Sequence, residues 1–327
     1  MEIKLLVTGG AGFIGSNLVE KYLRDERIAL VRVVDDLSNG YYENIEEFVG
    51  HPKFEFLKGD ICDYSVCQKA MQGIHKVTHQ AALGSVPRSI ENPSRTNEVN
   101  VGGTVNILRA AHEAGVGRVV LAFSSSTYGD SAELPKVEER IGRPLSPYAV
   151  SKYAAELYAE VFARTYGLSY IGLRYFNIFG PRQNADNPYA AVIPIFCKAF
   201  IEDRAPHIHG DGSTSRDFTY VANAVHANDL ALFCEDPAAL NQVYNVACGE
   251  QVDLNGMVGM LRQITGKDIQ ATYGAERPGD VKHSKADISK IRRLLGYEPQ
   301  VRMQEGLARV FQYNLEKYTA QVASLVS

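Results

Sequence analysis

A glycine-rich turn near the N-terminus restricts this chain to a small number of folds. The sequence GGAGFIG occupies residues 9–15, between a short apolar run that begins at Ile3 and a segment with apolar residues at helical spacing. A strand that turns directly into a helix places the free N–H groups of the helix N-terminus where they can bind a phosphate. The spacing predicts that Gly9 makes the tight turn, that Gly12 lets the backbone approach a pyrophosphate, and that Gly15 lets the helix pack on the sheet.

An acidic residue stands twenty positions beyond this turn. Asp35 comes directly after a second apolar run, at residues 30–34. A carboxylate at this place can accept hydrogen bonds from both hydroxyls of a ribose, and it would repel a 2′-phosphate. The pattern therefore predicts a dinucleotide site that prefers NAD to NADP. The neighbouring Asp36 and Asn39 are equally typical of an ordinary turn.

Strand-like and helix-like segments alternate through the first 175 residues. The predicted strands are residues 3–8, 30–34, 54–57, 76–82, 119–123 and 170–174. Alternation of this kind predicts an α/β fold, a Rossmann-like doubly wound parallel sheet with helices on both faces. We expect residues 1–175 to form a nucleotide-binding domain and residues 176–327 to form mainly a smaller C-terminal α/β substrate lobe. A helix at 223–234 and a strand at 243–247, both within 216–247, are expected to return to the first domain.

Composition excludes several classes of protein. The 327 residues are 45% hydrophobic and 22% charged, and 34 Lys and Arg against 38 Asp and Glu give a net charge of −4. This balance gives no basic footprint for nucleic acid. The longest apolar stretch, at 189–201, is interrupted by Pro194 and Lys198, so no membrane span is expected. The apolar run at 5–7 is far too short for a signal peptide, and the expected location is the cytoplasm.

Cysteine and histidine patterns predict neither disulfides nor a metal site. The five cysteines include no C-x-x-C pair, which is typical of buried thiols in a reducing compartment. His207 and His209 form an H-x-H on a predicted strand, but the sequence shows no third ligand near them. We therefore expect no bound metal.

A candidate catalytic group follows the fifth predicted strand. Tyr148 and Lys152 stand four residues apart, one above the other on a predicted helix. An ammonium at that distance favours a phenolate, so Tyr148 can act as a general base. Ser124, at the carboxyl end of the preceding strand, can share a proton with it. A second Tyr and Lys pair at this spacing, Tyr313 and Lys317, has no such strand before it and is interpreted as an ordinary helix face.

Longer stretches of the chain resemble a known family. They are QAALGSVPRSI (80–90), SSSTYGD (124–130), SPYAVSKYAAELY (146–158), LRYFNIFG (173–180), YAAVIP (189–194), GDGSTSRDF (210–218) and RPGDVKHS (277–284). On these stretches the sequence resembles the extended short-chain dehydrogenase/reductases, and within them the nucleotide-sugar 4-epimerases. The likeness is greatest to bacterial UDP-N-acetylglucosamine 4-epimerases. It covers about residues 4–299.

This resemblance implies a reaction and a set of site residues. Tyr148 is the expected base, Ser124 the catalytic hydroxyl, and Lys152 the residue that tunes Tyr148 and holds the nicotinamide ribose. The expected NAD contacts are Gly9, Gly12, Phe13, Ile14, Gly15, Asp35, Asp36, Asn39, Asp60, Ile61, Gln80, Ala81, Ala82, Asn100, Tyr148, Lys152, Tyr175 and Phe176. The expected UDP-sugar contacts are Gly84, Ser85, Arg88, Ser124, Ser125, Ser126, Tyr148, Asn177, Gln183, Ala191, Val192, Arg216, Arg277, Asp280 and Ser284.

The implied activity is the 4-epimerisation of a UDP-hexose through a transient 4-keto sugar. Ser284, seven residues after Arg277, is small where some relatives carry a bulky Tyr, which leaves room for an N-acetyl group and favours UDP-N-acetylglucosamine. UDP-glucose and UDP-galactose remain open as further substrates. Arg88 would suit the C6 carboxylate of a UDP-uronic acid, the main alternative.

Other functions on the same fold are weaker alternatives. Dehydratases and decarboxylases often carry an acid in the stretch that here is Ser125, Ser126 and Thr127. A net reductase would use the same catalytic residues, and a non-catalytic NAD-binding redox sensor would not need them together. The family pairs the helices at 100–114 and 147–166 into a four-helix interface, so the resemblance also implies a homodimer.

Overall fold

The structure, a computed structural model, describes residues 2–184, 191–276 and 282–326. In chain order its strands and helices are β1 (Ile3–Thr8), α1 (Phe13–Leu23), β2 (Ile28–Asp35), β3 (Phe54–Lys58), α2 (Tyr64–Met71), β4 (Lys76–His79), α3 (Val86–Glu91), α4 (Pro93–Asn97), α5 (Thr104–Glu113), β5 (Arg118–Ser124), α6 (Pro147–Tyr166), β6 (Tyr170–Tyr175), β7 (Ile178–Phe179), α7 (Val192–Ile201), β8 (His207–His209), β9 (Ser215–Arg216), β10 (Thr219–Tyr220), α8 (Val221–Phe233), β11 (Gln242–Val246), β12 (Val252–Asp253), α9 (Leu254–Thr265), β13 (Thr272–Gly274), α10 (Ser289–Leu295) and α11 (Met303–Val326). A π-helix, Glu98–Gly103, leads into α5.

Seven strands form one parallel sheet in the order β11-β6-β5-β4-β1-β2-β3. The chain runs from β1 outward to β3, then crosses to β4 on the other side of β1 and continues outward to β11. The strand order therefore reverses between β1 and β4. In parallel sheets a crevice opens at such a point, outside the carboxyl ends of the strands. The predicted Rossmann-like α/β sheet is confirmed.

The sheet is covered on both faces because its strands are apolar on both sides. In β1, Leu5 and Val7 belong to a core with residues of α1, α8 and α10, whereas Leu6 belongs to a second core with residues of α2, α5 and α6. This alternation is what a strand between two helical layers requires. Strand β11 and helix α8 come from the segment 216–247, so that part of the chain does join the first sheet.

Most of the later elements pack around a third core. Aromatic and aliphatic side chains from α7, α9 and α11 meet there, among them Phe196, Leu261 and Phe311. Its strands are two or three residues long and pair as β7–β10, β9–β12 and β8–β13. The division into two domains at residue 175 stays a prediction. No helix among the described residues combines the length and the apolar character needed to cross a membrane.

Candidate active site

A cavity of about 1010 Å³ opens at the carboxyl ends of the central strands. Its wall includes the glycine turn, Asp35 at the end of β2, the segment that follows β4, and Ser124 at the end of β5. Tyr148 and Lys152 from α6 complete the wall on the sheet side, and Arg216 and Ser284 line it from the later part of the chain. Residues more than 270 positions apart therefore share one cavity.

The glycine turn forms a cradle that side chains would fill. Gly9 has a φ of +68°, and a Cβ there would lie 2.6 Å from the backbone nitrogen of Ala81. A Cβ on Gly15 would collide with the carbonyl oxygen of Gly9. Helix α1 begins directly after Gly12, which supplies no side-chain cap, so the first N–H groups of the helix face the cavity. This arrangement fits the diphosphate of a dinucleotide.

Asp35 is buried beside this cradle and is held by backbone donors. Its Oδ2 accepts a hydrogen bond from the N–H of Ala11 at 3.0 Å, and its Oδ1 accepts one from the N–H of Leu37 at 2.9 Å. Burial raises the pKa of the carboxyl above its usual value. A carboxylate has about four acceptor positions, so Asp35 keeps acceptors for a ribose hydroxyl.

The segment after β4 is fixed by side-chain hydrogen bonds. Gln80 donates to the Thr78 hydroxyl at 2.8 Å and accepts from the Tyr175 hydroxyl at 3.3 Å. Asn100 accepts from the N–H of Leu83 at 2.8 Å and donates to the Ser151 hydroxyl at 3.0 Å. These contacts hold the backbone of residues 80–84, including Ala81 and Ala82, against the cavity.

Helix α6 brings the catalytic candidates together. Ser146 caps the helix by accepting a hydrogen bond from the N–H of Ala149 at 3.1 Å, and Pro147 occupies its first turn, as the first turn of a helix favours. Tyr148 then lines the cavity together with Ser124, whose side chain acts to lower the pKa of the phenol. Lys152, one turn further, donates to the carbonyl oxygen of Ala122 at 2.9 Å.

Burial shifts the pKa values of both titratable side chains in this group. Burial raises the pKa of Tyr148 above its usual value, and the hydrogen bond with Ser124 lowers it only in part. Burial also lowers the pKa of Lys152 to about 8, against the attraction of Glu156. In both residues burial is therefore the largest cause of the pKa shift.

Two cavity-lining side chains hold buried oxygens that lack a hydrogen-bond partner within the described residues. They are the hydroxyl of Ser126 and the amide oxygen of Gln183. Buried polar atoms in folded proteins almost always have a partner. Unsatisfied atoms that face a cavity are therefore candidates for ligand contacts.

Comparison with known proteins assigns the family. A family profile described as GDP-mannose 4,6 dehydratase matches residues 6–310. The structure of UDP-N-acetylglucosamine 4-epimerase from Methanobrevibacter ruminantium, in complex with UDP-N-acetylmuramic acid, superimposes with a TM-score of 0.91 at 37% identity, over 97% of this chain and 100% of that one. UDP-glucuronic acid 4-epimerase from Bacillus cereus, in complex with UDP-glucuronic acid and NAD, gives a TM-score of 0.89 at 30% identity, over 97% and 100%. A putative UDP-glucose 4-epimerase of Methanocaldococcus jannaschii is 36% identical over 94% of this chain and 96% of its own. The chain belongs to the nucleotide-sugar epimerase family.

In this member of the epimerase family, most of the predicted site residues line the cavity. The described residues that do so are Gly9, Gly12, Phe13, Ile14, Gly15, Asp35, Asp36, Asn39, Asp60, Ile61, Gln80, Ala81, Ala82, Gly84, Ser124, Ser125, Ser126, Tyr148, Lys152, Tyr175, Asn177, Gln183, Ala191, Arg216 and Ser284. Arg277 and Asp280 lie outside the described residues. Among the described residues, no three His, Cys, Asp or Glu side chains form a group that could hold a metal ion.

Five predicted contacts lie behind or beside the cavity wall of this epimerase-family chain. Ser85 caps α3 by accepting from the N–H of Arg88 at 3.2 Å, and the Arg88 guanidinium donates to Asn39 at 2.9 Å. Asn100 is buried on Leu83 and Ser151, and Phe176 is buried against the ring of Tyr128. The fifth residue, Val192, stands at the start of α7. Helix caps and core packing explain these positions, and neither is visible in a motif.

Sequence reasoning also missed residues that do line the cavity. Lys136 and Arg182 are the charged examples. Arg182 pairs with Glu20 and Glu47, both at 2.8 Å, and so ties the loop after β7 to the glycine-turn side. Neither residue belongs to a repeated or spaced pattern that would have indicated a role in the site.

Proposed function

We propose that this protein is an NAD-dependent epimerase that interconverts UDP-N-acetylglucosamine and UDP-N-acetylgalactosamine by inverting C4 of the hexose. Membership of the family already implies a 4-epimerase of UDP-sugars, that is, an isomerase with NAD as its cofactor. The acetylated sugar is supported by space at the substrate end of the cavity. A Cβ built on Gly84 would meet no atom within 4 Å, and the other lining residues there include the small Ala191 and Ser284.

The proposed chemistry rests on three side chains of the described site. Tyr148 takes the proton of the sugar 4-hydroxyl, and Ser124 shares that proton through its hydrogen bond with Tyr148. Residues 9–15 and Asp35 would hold NAD, which would supply the hydride acceptor for C4 of the sugar and the hydride donor for the 4-keto sugar. Lys152 stabilises the developing phenolate by its charge and orients the site through its bond to Ala122.

A 4-keto sugar that turns over needs a firm anchor away from the hexose. Arg216 lines the cavity, and its guanidinium is oriented by the carbonyl oxygens of Ser215 at 2.9 Å and Lys282 at 3.2 Å. We assign it to the diphosphate, because a planar guanidinium suits phosphate oxygens. Asn177 is fixed by its donation to the carbonyl oxygen of Asp217 at 3.0 Å, and we assign it to the sugar.

The first experiment is incubation of the purified protein, with no added reductant, with UDP-N-acetylglucosamine and UDP-glucose in parallel. Proton NMR would follow the appearance of each galacto product. We expect both UDP-sugars to be converted with no net reduction of NAD, and the acetylated sugar to be the preferred substrate. The variant Ser284→Tyr should lose mainly the acetylated substrate. A wild-type preference for UDP-glucose or UDP-glucuronate would refute the assigned sugar.

We rank the UDP-uronic acid alternative below the acetylated sugar. Arg88, the expected partner of a C6 carboxylate, bonds to Asn39 on the cofactor side and does not line the cavity. UDP-glucuronate therefore joins the incubation as a third substrate, and a preference for it would support the uronate alternative.

We also propose that the protein works as a homodimer in the cytoplasm. One stripe of α6 exposes Val150, Leu157, Tyr158 and Val161, with exposed fractions of 54%, 46%, 42% and 41%. A second copy of the same helix would cover this stripe. All five cysteines are free thiols, which is typical of a reducing compartment. Light scattering of Leu157→Lys should show a smaller mass than the wild type; an unchanged mass would contradict this interface.

A further inference from the structure

A buried lysine lines the substrate end of the cavity. Lys136 is 3% exposed, and it contributes to the same wall as Ser126, Gly129 and Ser284. Its ammonium donates to the carbonyl oxygen of Ser131. Burial lowers the pKa of its ammonium below the usual value, although Glu133 acts in the opposite direction.

No carboxylate forms an ion pair with Lys136 among the residues that the structure describes. Glu133, the acid that acts on it electrostatically, is paired with Arg140 at 3.1 Å. Buried lysines are normally paired, because an unpaired charge away from water is expensive. An ammonium has three protons, and one backbone carbonyl accounts for one of them.

The backbone holds Lys136 close to Ser284. The N–H of Lys136 donates to the carbonyl oxygen of Lys285 at 2.7 Å, and its own carbonyl accepts from the N–H of Asp287 at 2.9 Å and from the Asn245 amide at 2.9 Å. The N–H of Ser284 donates in turn to the carbonyl oxygen of Ser215 at 3.1 Å. The position of Lys136 is therefore fixed together with the segment that forms the proposed acetamido space.

A donor group with free protons at this place needs an acceptor oxygen from the ligand. The hydroxyl of Ser126, which lines the same cavity, is buried and has no hydrogen-bond partner within the described chain. Lys136 and Ser126 can therefore both form a hydrogen bond with a ligand at this end of the cavity. We propose that Lys136 is a specificity-determining residue whose ammonium donates to the carbonyl oxygen of the 2-acetamido group of the sugar. This inference rests on the proposed function, since it names the group that recognises the acetylated substrate.

The test compares Lys136→Met with the wild type by isothermal titration calorimetry of the NAD-loaded protein. The ligands are UDP-N-acetylglucosamine, UDP-glucose and UDP-glucuronate. A hydrogen bond from a charged donor predicts that the Kd for the acetylated ligand rises about tenfold to a hundredfold, whereas the Kd for UDP-glucose changes by less than about threefold. Turnover of the same ligands provides the second readout, as kcat/KM.

Two further variants separate recognition from folding. Lys136→Gln keeps one donor for the Ser131 carbonyl and should discriminate between the ligands less than the wild type and more than Lys136→Met. Lys76→Met is the matched control, because Lys76 is half-buried and donates to a backbone carbonyl, that of Leu232 at 2.6 Å, but stands at the amino end of β4 and does not line the cavity. It should leave all three affinities unchanged.

The outcomes are distinct. An equal loss for UDP-N-acetylglucosamine and UDP-glucose would overturn the inference and leave Lys136 a structural residue. A loss confined to UDP-glucuronate would overturn it in favour of a carboxylate. Calorimetry judges Lys136 without turnover, so a wild type that binds the acetylated ligand and fails to epimerise it would refute the proposed function alone.

Discussion

The cofactor side and the substrate side of the cavity are built by different means. On the cofactor side, the glycine turn and Asp35 follow β1 and β2, strands of six and eight residues inside one seven-stranded sheet. On the substrate side, Arg216 belongs to β9, a strand of two residues, and Asn177 stands in a loop with a φ of +39°. The first side is regular secondary structure and the second is mostly irregular backbone.

On the substrate side, hydrogen bonds to single side chains hold the backbone where the cofactor side has sheet hydrogen bonds. Asp217 is fully buried, and its carboxylate accepts from the N–H groups of Cys248 at 2.9 Å, Gly249 at 3.0 Å and Ala286 at 3.2 Å. These donors lie up to 69 positions away in the chain. The cofactor side is therefore held by many equivalent backbone bonds and the substrate side by a few residues. Substitutions at those few residues should affect the two sides unequally.

The largest effect is expected where the two sides meet, at Tyr148. Tyr148→Phe removes the proposed base while keeping the ring, so activity should fall at least about a thousandfold. NAD and UDP-sugar binding should both persist, as should the unfolding temperature. Turnover assays and calorimetry would measure these quantities. The control is Tyr313→Phe on α11, the second Tyr-x-x-x-Lys copy, which should retain full activity. Comparable losses in both variants would contradict the catalytic assignment.

The next largest effect should separate the two sides. Asp217→Ala leaves three buried N–H groups without an acceptor, and we expect a loss of about 2–4 kcal/mol in the free energy of unfolding. Burial raises the pKa of Asp217 to about 6. The substitution also removes the free-energy cost of burying this carboxylate, which offsets part of the loss. UDP-sugar binding should weaken far more than NAD binding.

A control for this variant lies in the same part of the chain. Asp211→Ala removes an exposed turn contact to the N–H of Ser213 at 2.9 Å and should cost about 1 kcal/mol or less. Urea unfolding and calorimetry would measure all quantities. Equal weakening of NAD and UDP-sugar binding by Asp217→Ala would mean that the two sides are not independently held.

The same difference decides what the sequence predicts. Periodicity and glycine spacing were sufficient for the parallel sheet, and the cavity indeed brings Ser124, Tyr148 and Lys152 together. The predicted strand at 76–82 ends at His79, and the backbone of Leu83, just beyond the predicted end, bonds to the side chain of Asn100 instead of a neighbouring strand. Such bonds depend on tertiary contacts, which no local pattern encodes.

Three charged or polar residues illustrate this limit. Asn100 and Arg88 carry the right chemistry for ligand contacts, but the structure uses them to hold Leu83 and Asn39. Lys136 has no motif and still lines the cavity. The raised pKa of Tyr148 likewise follows from burial, which a spacing of four residues does not report. The identity of a residue predicts which groups its side chain can bind, and tertiary packing determines which groups it contacts.

A third prediction tests the cost of burying Lys152 beside the sheet. Its pKa is about 8 in the folded protein, lowered by burial from 10.5. Between these values the unfolded chain binds more protons, so the free energy of unfolding of the wild type rises with pH. Relative to Lys152→Met, it should rise by about 2–3 kcal/mol between pH 7 and pH 10.

Urea unfolding at a series of pH values would measure this change. The exposed Lys69 on α2 supplies the control, since Lys69→Met should follow the wild-type curve in parallel. A constant difference between the wild type and Lys152→Met across this range would show that Lys152 is not desolvated.

The smallest expected effect isolates the cofactor side. Asp35→Asn keeps the shape of the side chain and one acceptor, but it turns an amide N–H₂ toward the N–H of Ala11 or Leu37, or toward a ribose hydroxyl. The Kd for NAD should rise about tenfold, and the Kd for UDP should not change, because its proposed contacts lie on the other side. Asp36→Asn is the comparison variant: Asp36 also lines the cavity but accepts from the N–H of Ser38 at 2.9 Å in an exposed turn, so this variant should weaken NAD binding less than Asp35→Asn does. If Asp36→Asn weakened NAD binding more than Asp35→Asn, the ribose contact would belong to the turn rather than to the end of β2, and the cofactor side would depend on loop geometry as much as the substrate side does.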